Sequence, residues 1–531
     1  MVEPSTDLTT ARRHGLGDLL RRSAKRDPGH TAIVYGSIRQ SYAELDETVN
    51  RTANALAARG LRQGDRAALF AHNSFGFVVT ALAMAKAGVI MVPINFMLGA
   101  DEVAFVLEHS ASSGFIVEDA LLPVASRALD IAGASAPMTA RAVIADAPAQ
   151  PPRGWEALDS WLAHPDASEP ETTLADDDPV ALSYTSGTES RPKGAVLTSR
   201  SLISQFVSCI VDGEMSRDDV EIHPMPLYHC AQLYCFLMPG LYVGATNVVV
   251  PRPDPGTILE VIETEQVTKL FCPPTVWIGV LRHPDFDGRD LSSLRKGYYG
   301  ASAMPVEVLL EMSRRLPRVR FFNFYGQTEM SPMATLLRPE DQVRKAGSAG
   351  RPAINVETMV VDYDDQPLPP GAVGEIVHRS PHAMLGYWNA PAKTAETFKN
   401  GWFHSGDLGV IDDEGYLSVV DRKKDMIKTG GENVASREVE EAIYAHDGVL
   451  EAAIFGIPDP KWIEAVTAAV VPRDGVELTP DEVIAFCRER LAPFKVPKHV
   501  VLVPELPKNA SGKILKRELR ERFASLSADA A

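Results

Sequence analysis

From about Ser41 onward, amphipathic helical stretches alternate with short apolar runs, and no other feature constrains the fold as strongly. SYAELDETVNRTANALAARG at 41–60 carries apolar residues at helical spacing, whereas RAALFA at 66–71, VIMVPI at 89–94 and GFIVE at 114–118 are short runs bounded by Gly, Pro or Asp. Helix and strand patterns in alternation specify α/β layers. The most apolar stretch, Phe77–Met97, is broken by Lys86 and Pro93 and passes from helical to extended patterning. It predicts a buried helix followed by a strand, and no integral membrane segment.

The pattern changes twice downstream. Ala145–Asp178 is rich in Ala, Pro and acid, lacks periodicity, and reads as a surface connection leading to a buried strand at Pro179–Tyr184. Past Thr358 come short strands with close turns (MVVDYDDQPLPPG, GEIVHRS, YLSVVDRKKDMIK), a mostly β subdomain. After Asp425, strand-like VLEAAIFGIP and AVTAAVVPR flank helical SREVEEAIYAH and TPDEVIAFCRERLA. That suffices for a compact α+β unit of about 100 residues. The chain has 531 residues, and single cores stop growing near about 250–300, so two or more lobes are expected. There is no internal repeat.

Composition narrows the function classes. The formal charge is −17, which argues against generic binding to nucleic acid or anionic lipid, since both demand a basic surface. A single nucleotide remains open, because it is held by local dipoles and a few cations. Cys209, Cys230, Cys235, Cys272 and Cys487 are few and lack C-x-x-C spacing, as in a reducing compartment. No stretch near the start joins a basic beginning, an apolar run and a cleavage site, so a cytoplasmic protein is expected.

Thr185-Ser186-Gly187-Thr188-Glu189-Ser190-Arg191-Pro192-Lys193-Gly194 directly follows ALSY and precedes AVLTSRSL, and reads as a strand-to-helix loop. Backbone N–H groups and hydroxyls there can surround an anion while Lys193 balances its charge. The spacing is not that of a Walker loop, and on its own the segment could equally be a polar turn.

This loop resembles the T-S-G-[ST]-T-G-x-P-K-G signature of the adenylate-forming superfamily, which includes acyl-CoA synthetases, peptide-synthetase adenylation domains and beetle luciferases. Glu189 stands where Thr or Ser is usual, and Ser190 where Gly is usual. Further segments of the pattern follow in order. Gly300-Ala301-Ser302 and Tyr325-Gly326-Gln327-Thr328-Glu329 look like the adenine-binding segments, with Tyr325 against the base and Thr328 near the phosphates. The resemblance implies that Thr185, Ser186, Gly187, Thr188 and Lys193 hold phosphates, and that Glu329 with Thr185 holds magnesium, a hard cation that prefers oxygen ligands. Trp402-Phe403-His404-Ser405-Gly406-Asp407 is similar to the family's W-[FY]-x-[ST]-G-D, whose Asp accepts from both ribose hydroxyls; Arg422 matches the next ribose contact.

Lys513, in PKNASGKILK at 507–516, resembles the lysine of the superfamily's C-terminal domain. Its ammonium would stabilise charge growing on the α-phosphate during adenylate formation. His229 occupies the family's P-L-[FY]-H position, a gate between acyl pocket and thiol tunnel, and Phe236, Val276, Gly300, Met330 and Met333 would surround the acid. Neither a G-x-S-x-G elbow nor metal-ligand spacing around His229 is present, as suits a reaction whose nucleophiles both come from substrates.

The resemblance, most like a fatty acyl-CoA synthetase, implies an α/β N-terminal adenylate-forming domain over 1–423, with two α/β layers plus a β subdomain. A small mobile α+β C-terminal domain would cover 424–531 and turn about Lys424. Lys428, Gly430 and Gly431 would then line a pantetheine tunnel, and Trp462, Phe494 and Lys498 would meet coenzyme A. The expected chemistry joins a carboxylic acid to AMP using ATP, then transfers the acyl group to coenzyme A. An enzyme loading a carrier protein, a luciferase-like oxygenase and a non-catalytic binding protein of the same fold stay open. A homodimer and a lysine acetyltransferase acting on Lys513 are further partners compatible with the family.

Overall fold

The computed structural model describes residues 10–145, 150–185, 192–302, 304–423, 425–509 and 512–526. Ser186, Gly187, Thr188, Glu189, Ser190 and Lys424, the expected hinge, lie outside them.

The predicted helix runs over Tyr42–Ala58 and starts on a capping box: the Ser41 hydroxyl accepts from Glu44 N–H, and the Glu44 carboxylate accepts from Ser41 N–H at 2.8 Å. Phe75–Ala87 follows as a helix in which every residue from Phe75 to Lys86 is buried. A helix apolar all round has to be packed on all sides. Lys86 is tolerated there because its ammonium donates to Asp46, Asn50 and Glu169 at 2.6–2.7 Å.

Two large sheets carry the N-terminal part, one of nine strands and one of eight. In the first, Val220–His223, Lys269–Phe271, Lys296–Gly300 and Arg320–Gly326 run parallel, with Met333–Leu337 antiparallel at their flank. In the second, Ile90–Pro93, Arg66–Phe70, Gly114–Glu118 and Ala140–Ile144 run parallel, and Pro179–Thr185 joins them through Ile90–Pro93. A five-stranded antiparallel sheet holds Gly374–Arg379, Trp402–Ile411 and Leu417–Arg422. The C-terminal part has its own five-stranded sheet, in which Val449–Asp459 pairs with Ile463–Pro472, and its own core. Among the described residues no helix is long and apolar enough to cross a membrane.

Two expectations need correction. The phosphate loop joins a strand to a strand: Lys193–Thr198 pairs antiparallel with Pro179–Thr185, and the helix begins only at Ser199, capped by Thr198. The run AVLT at 195–198 has the alternation and β-branching of a strand, and its backbone finds partners in the preceding strand. The connection Ala145–Asp178 is also not all surface. It contains a helix at Leu158–Leu162 whose Trp161 is fully buried, a large apolar group that outweighs the surrounding polar composition.

Candidate active site

The strand ends and the last loop of the chain meet around a cavity of about 760 Å³. Thr185, Lys193, His229, Phe236, Ala301, Tyr325, Gly326, Thr328, Glu329, Met333, Asp407, Arg422 and Lys513 all line it. These residues come from six separate stretches of the chain and from both domains.

Hairpin register explains several of these meetings. Thr185 and Lys193 lie directly opposite each other across the antiparallel pair, so the hydroxyl and ammonium flank the loop mouth. Asp407 and Arg422 are likewise cross-strand partners, with Arg422 Nε 3.6 Å from the Asp407 carboxylate. The same carboxylate accepts from the Tyr325 hydroxyl at 2.7 Å and from Gln327 Nε2 at 3.2 Å. Burial, and secondarily Asp407, raises Tyr325 well above the usual phenol range, so it stays a donor. Gly326 turns the chain between them where nothing larger fits, since a Cβ there would lie 1.9 Å from the Pro332 carbonyl oxygen.

Glu329 follows in a short 3-10 turn, and its carboxylate accepts from the Tyr387 hydroxyl at 2.7 Å. The Tyr387 ring also lies 5.8 Å beneath the Lys193 ammonium. Tyr387 has no sequence signal of its own; it is 58 residues from Glu329 and only the fold joins them. Thr328 Oγ1 is 3.2 Å from Cys230 Sγ, whose thiol burial pushes up to about 12. That cysteine is a neutral wall and not a nucleophile.

Lys513 reaches the cavity in a loop pinned by Asn509, whose side chain accepts from Lys513 N–H and whose N–H donates to the Lys513 carbonyl, both at 2.9 Å. The Thr275 hydroxyl donates to the Gly512 carbonyl at 3.3 Å, fastening this loop to the N-terminal part. His229 sits at a helix N-terminus, where its Nδ1 accepts from Ala231 N–H at 3.2 Å. It lines the cavity and is half-buried among protein atoms. That burial, and secondarily the Lys513 charge, lowers it to about 4, so it is neutral at pH 7.

Not every predicted residue reaches the cavity. Of Gly300, Ala301 and Ser302 only Ala301 lines it, in a left-handed turn at φ 62°. Met330 is fully buried behind the wall, and Val276 packs between two core clusters without lining the cavity. The residues expected for coenzyme A form a separate group. Gly430 and Gly431 make the two-residue turn between Ile427–Thr429 and Glu432–Val434, with φ +59° and +87° as such turns require. Gly430 N–H donates to the Trp462 carbonyl at 2.8 Å, and Lys498 Nζ lies 5.1 Å over the Trp462 ring. Lys428 is exposed on the adjoining strand, and Phe494 packs on the edge of the C-terminal core.

The model of an AMP-binding enzyme matches residues 20–388, and that of the AMP-binding enzyme C-terminal domain matches 438–513. The chain belongs to the AMP-binding enzyme family. Within it, the chain is 39% identical to a feruloyl-CoA synthase of an Amycolatopsis species, over 96% of this chain and all of that one. It is 36% identical to a long-chain-fatty-acid–CoA ligase of Mycobacterium tuberculosis, over 96% and 99%. Among solved structures, ATP-bound MatB from Rhodopseudomonas palustris aligns with a TM-score of 0.87 at 30% identity, covering 96% of this chain and 99% of that one. Like these AMP-binding enzymes, the protein is an acid–thiol ligase of mixed α/β fold, with a large N-terminal and a small C-terminal domain.

Proposed function

We propose that the protein converts a hydrophobic carboxylic acid and ATP into an acyl-adenylate and pyrophosphate, then transfers the acyl group to coenzyme A with release of AMP. One observation carries this reading: Lys513 of the C-terminal domain lines the same cavity as Asp407, Arg422, Tyr325 and His229.

The residues divide the work by their chemistry. The Asp407 carboxylate has lone pairs to spare for two ribose hydroxyls, and Arg422 and Tyr325 hold it in place. Lys193 and Thr185 flank the triphosphate path. A carboxylate oxygen of the acid attacks the α-phosphorus as the bond to pyrophosphate breaks. The Lys513 ammonium meets the charge that accumulates on the transferring phosphoryl oxygens, which favours the transition state over the ground state. Glu329 and Thr185 offer only oxygen donors, fitting a magnesium ion, which when bound neutralises phosphate charge.

In the second step the coenzyme A sulfur attacks the acyl carbon, AMP departs with the bonding electrons, and the thiol proton goes to solvent. Neutral His229 adds no charge against Lys513 in the first step and leaves an uncharged wall for the thiol in the second. The group around Trp462, Gly430 and Lys498 lies away from the cavity in this arrangement, so thioester formation calls for the C-terminal domain to turn about Lys424.

The test is a panel of carboxylic acids with ATP, magnesium and coenzyme A, following pyrophosphate and thioester separately. Pyrophosphate release that depends on the acid, and thioester that depends on coenzyme A, are expected. Pyrophosphate without thioester unless a carrier protein is added would overturn the assigned acceptor.

A further inference from the structure

The ligase reading leaves the acid open, and the two curated relatives bear names with acids of different shape. The inner end of the cavity distinguishes them. Its wall runs along the helical segment from His229 to Phe236, about 10 Å at the helical rise per residue. Leu233–Leu237 forms a π-turn, and the neighbouring residues Cys235 and Phe236 both line the cavity.

At the far end three rings lie nearly parallel. Phe236 stacks on Phe271 with centroids 4.3 Å apart and planes 16° apart, and on Phe324 at 5.6 Å and 19°. Beyond Phe236 there is no room. Tyr298 meets it edge-on at 5.3 Å and is itself fully buried. Behind that lies an ion pair, Lys269 Nζ to Glu221 at 2.7 Å, with both side chains sealed from solvent. Lys269 Nζ lies 5.6 Å from the Phe236 ring and 5.5 Å from that of Tyr298. The other inner wall is closed too, since Gln205 and Cys209, both fully buried, back Cys235 and Met333.

We infer that this pocket takes a compact ring-bearing acid, an arylalkanoate or arylalkenoate, and that the Lys269–Glu221 pair behind Phe236 is the stop that excludes long alkyl chains. The inference rests on the ligase reading above. A flat wall of near-parallel rings favours an aromatic acid, which gains by offset stacking what a flexible chain does not. A longer tail would have to displace Phe236 and lie against two buried charges, which apolar methylenes cannot satisfy.

Acid-dependent exchange of pyrophosphate into ATP by the full-length protein tests this. The panel sets arylacetates and arylpropenoates against saturated acids from hexanoate to palmitate. Arylpropenoates or arylacetates should exceed laurate and palmitate at least tenfold in kcat/KM. Phe236→Ala should lower KM for bulkier ring systems and leave laurate unused, because the ion pair remains. Laurate or palmitate outperforming the aromatic acids in the unaltered enzyme overturns the inference, and laurate activity gained by Phe236→Ala overturns the stop. Exchange with no acid of either class overturns the ligase reading itself, and the inference with it.

Discussion

Glu329 and Lys193 line the same cavity, and Tyr387 touches both. Its hydroxyl supplies one hydrogen bond to a carboxylate, an interaction worth about 1.5–3 kcal/mol when one partner is charged. Removing that hydroxyl leaves Glu329 freer to turn, while the ring still lies under Lys193. Tyr387→Phe should therefore raise the magnesium concentration for half-maximal pyrophosphate release about tenfold, and leave thioester formation from supplied acyl-adenylate unchanged. The same shift should appear without turnover, as weaker binding of Mn²⁺ in the presence of ATP, read by electron paramagnetic resonance on a Lys513→Ala background. Equal Mn²⁺ affinity with and without Tyr387→Phe on that background would remove Tyr387 from this role.

Between elements, one basic side chain ties the C-terminal domain to the larger one. Arg437 donates to the carbonyls of Val419 and Gly347 at 2.7 and 2.8 Å, both in the N-terminal part. Arg437→Ala should slow pyrophosphate release about tenfold, on the scale of hydrogen bonds to a charged group. The rate of thioester formation from supplied acyl-adenylate should hold or rise, since the arrangement that Arg437 fastens is the one that places Lys513. An equal fall in both steps would count against this. Elements were legible where local pattern and packing agree: the capped helix at Tyr42–Ala58 and the buried helix–strand pair ending at Pro93 are written in periodicity. The strand at Lys193–Thr198 was not, because its partner lies across a loop and pairing decides its state. Motifs placed Asp407, Arg422, Glu329 and Lys513, yet Tyr387 holds Glu329 and Thr275 holds the Lys513 loop from positions with no local signal. Met330 sits beside Glu329 in the chain but, like Val276, packs into the core, a distinction of side-chain direction that sequence spacing does not carry.

Across the whole molecule, buried titratable groups set an acid limit. Burial lowers His223 and His378 to about 3, and His229 and His382 to about 4. Each binds fewer protons folded than unfolded between its folded value and about 6.5, so stability is lost as pH falls through that window. Each contributes up to about 1.4 kcal/mol per pH unit there. Glu221, which burial pushes up against the pull of Lys269, works in the opposite direction between its unfolded and folded values, one group against these histidines. The melting temperature should drop between pH 7 and pH 5, and His378→Gln should flatten that drop. A melting temperature unchanged over this range would contradict these burials.

The account turns on one amine from the C-terminal domain acting on a nucleotide held by the N-terminal domain. Its most direct test is the two half-reactions of Lys513→Ala measured apart, pyrophosphate release from acid and ATP, and thioester formation from supplied acyl-adenylate and coenzyme A. The first should fall about 10²–10³-fold, as when a single oxyanion donor is removed, and the second should stay near that of the unaltered enzyme. Pyrophosphate release that survives the substitution, or a parallel loss of both steps, would contradict it.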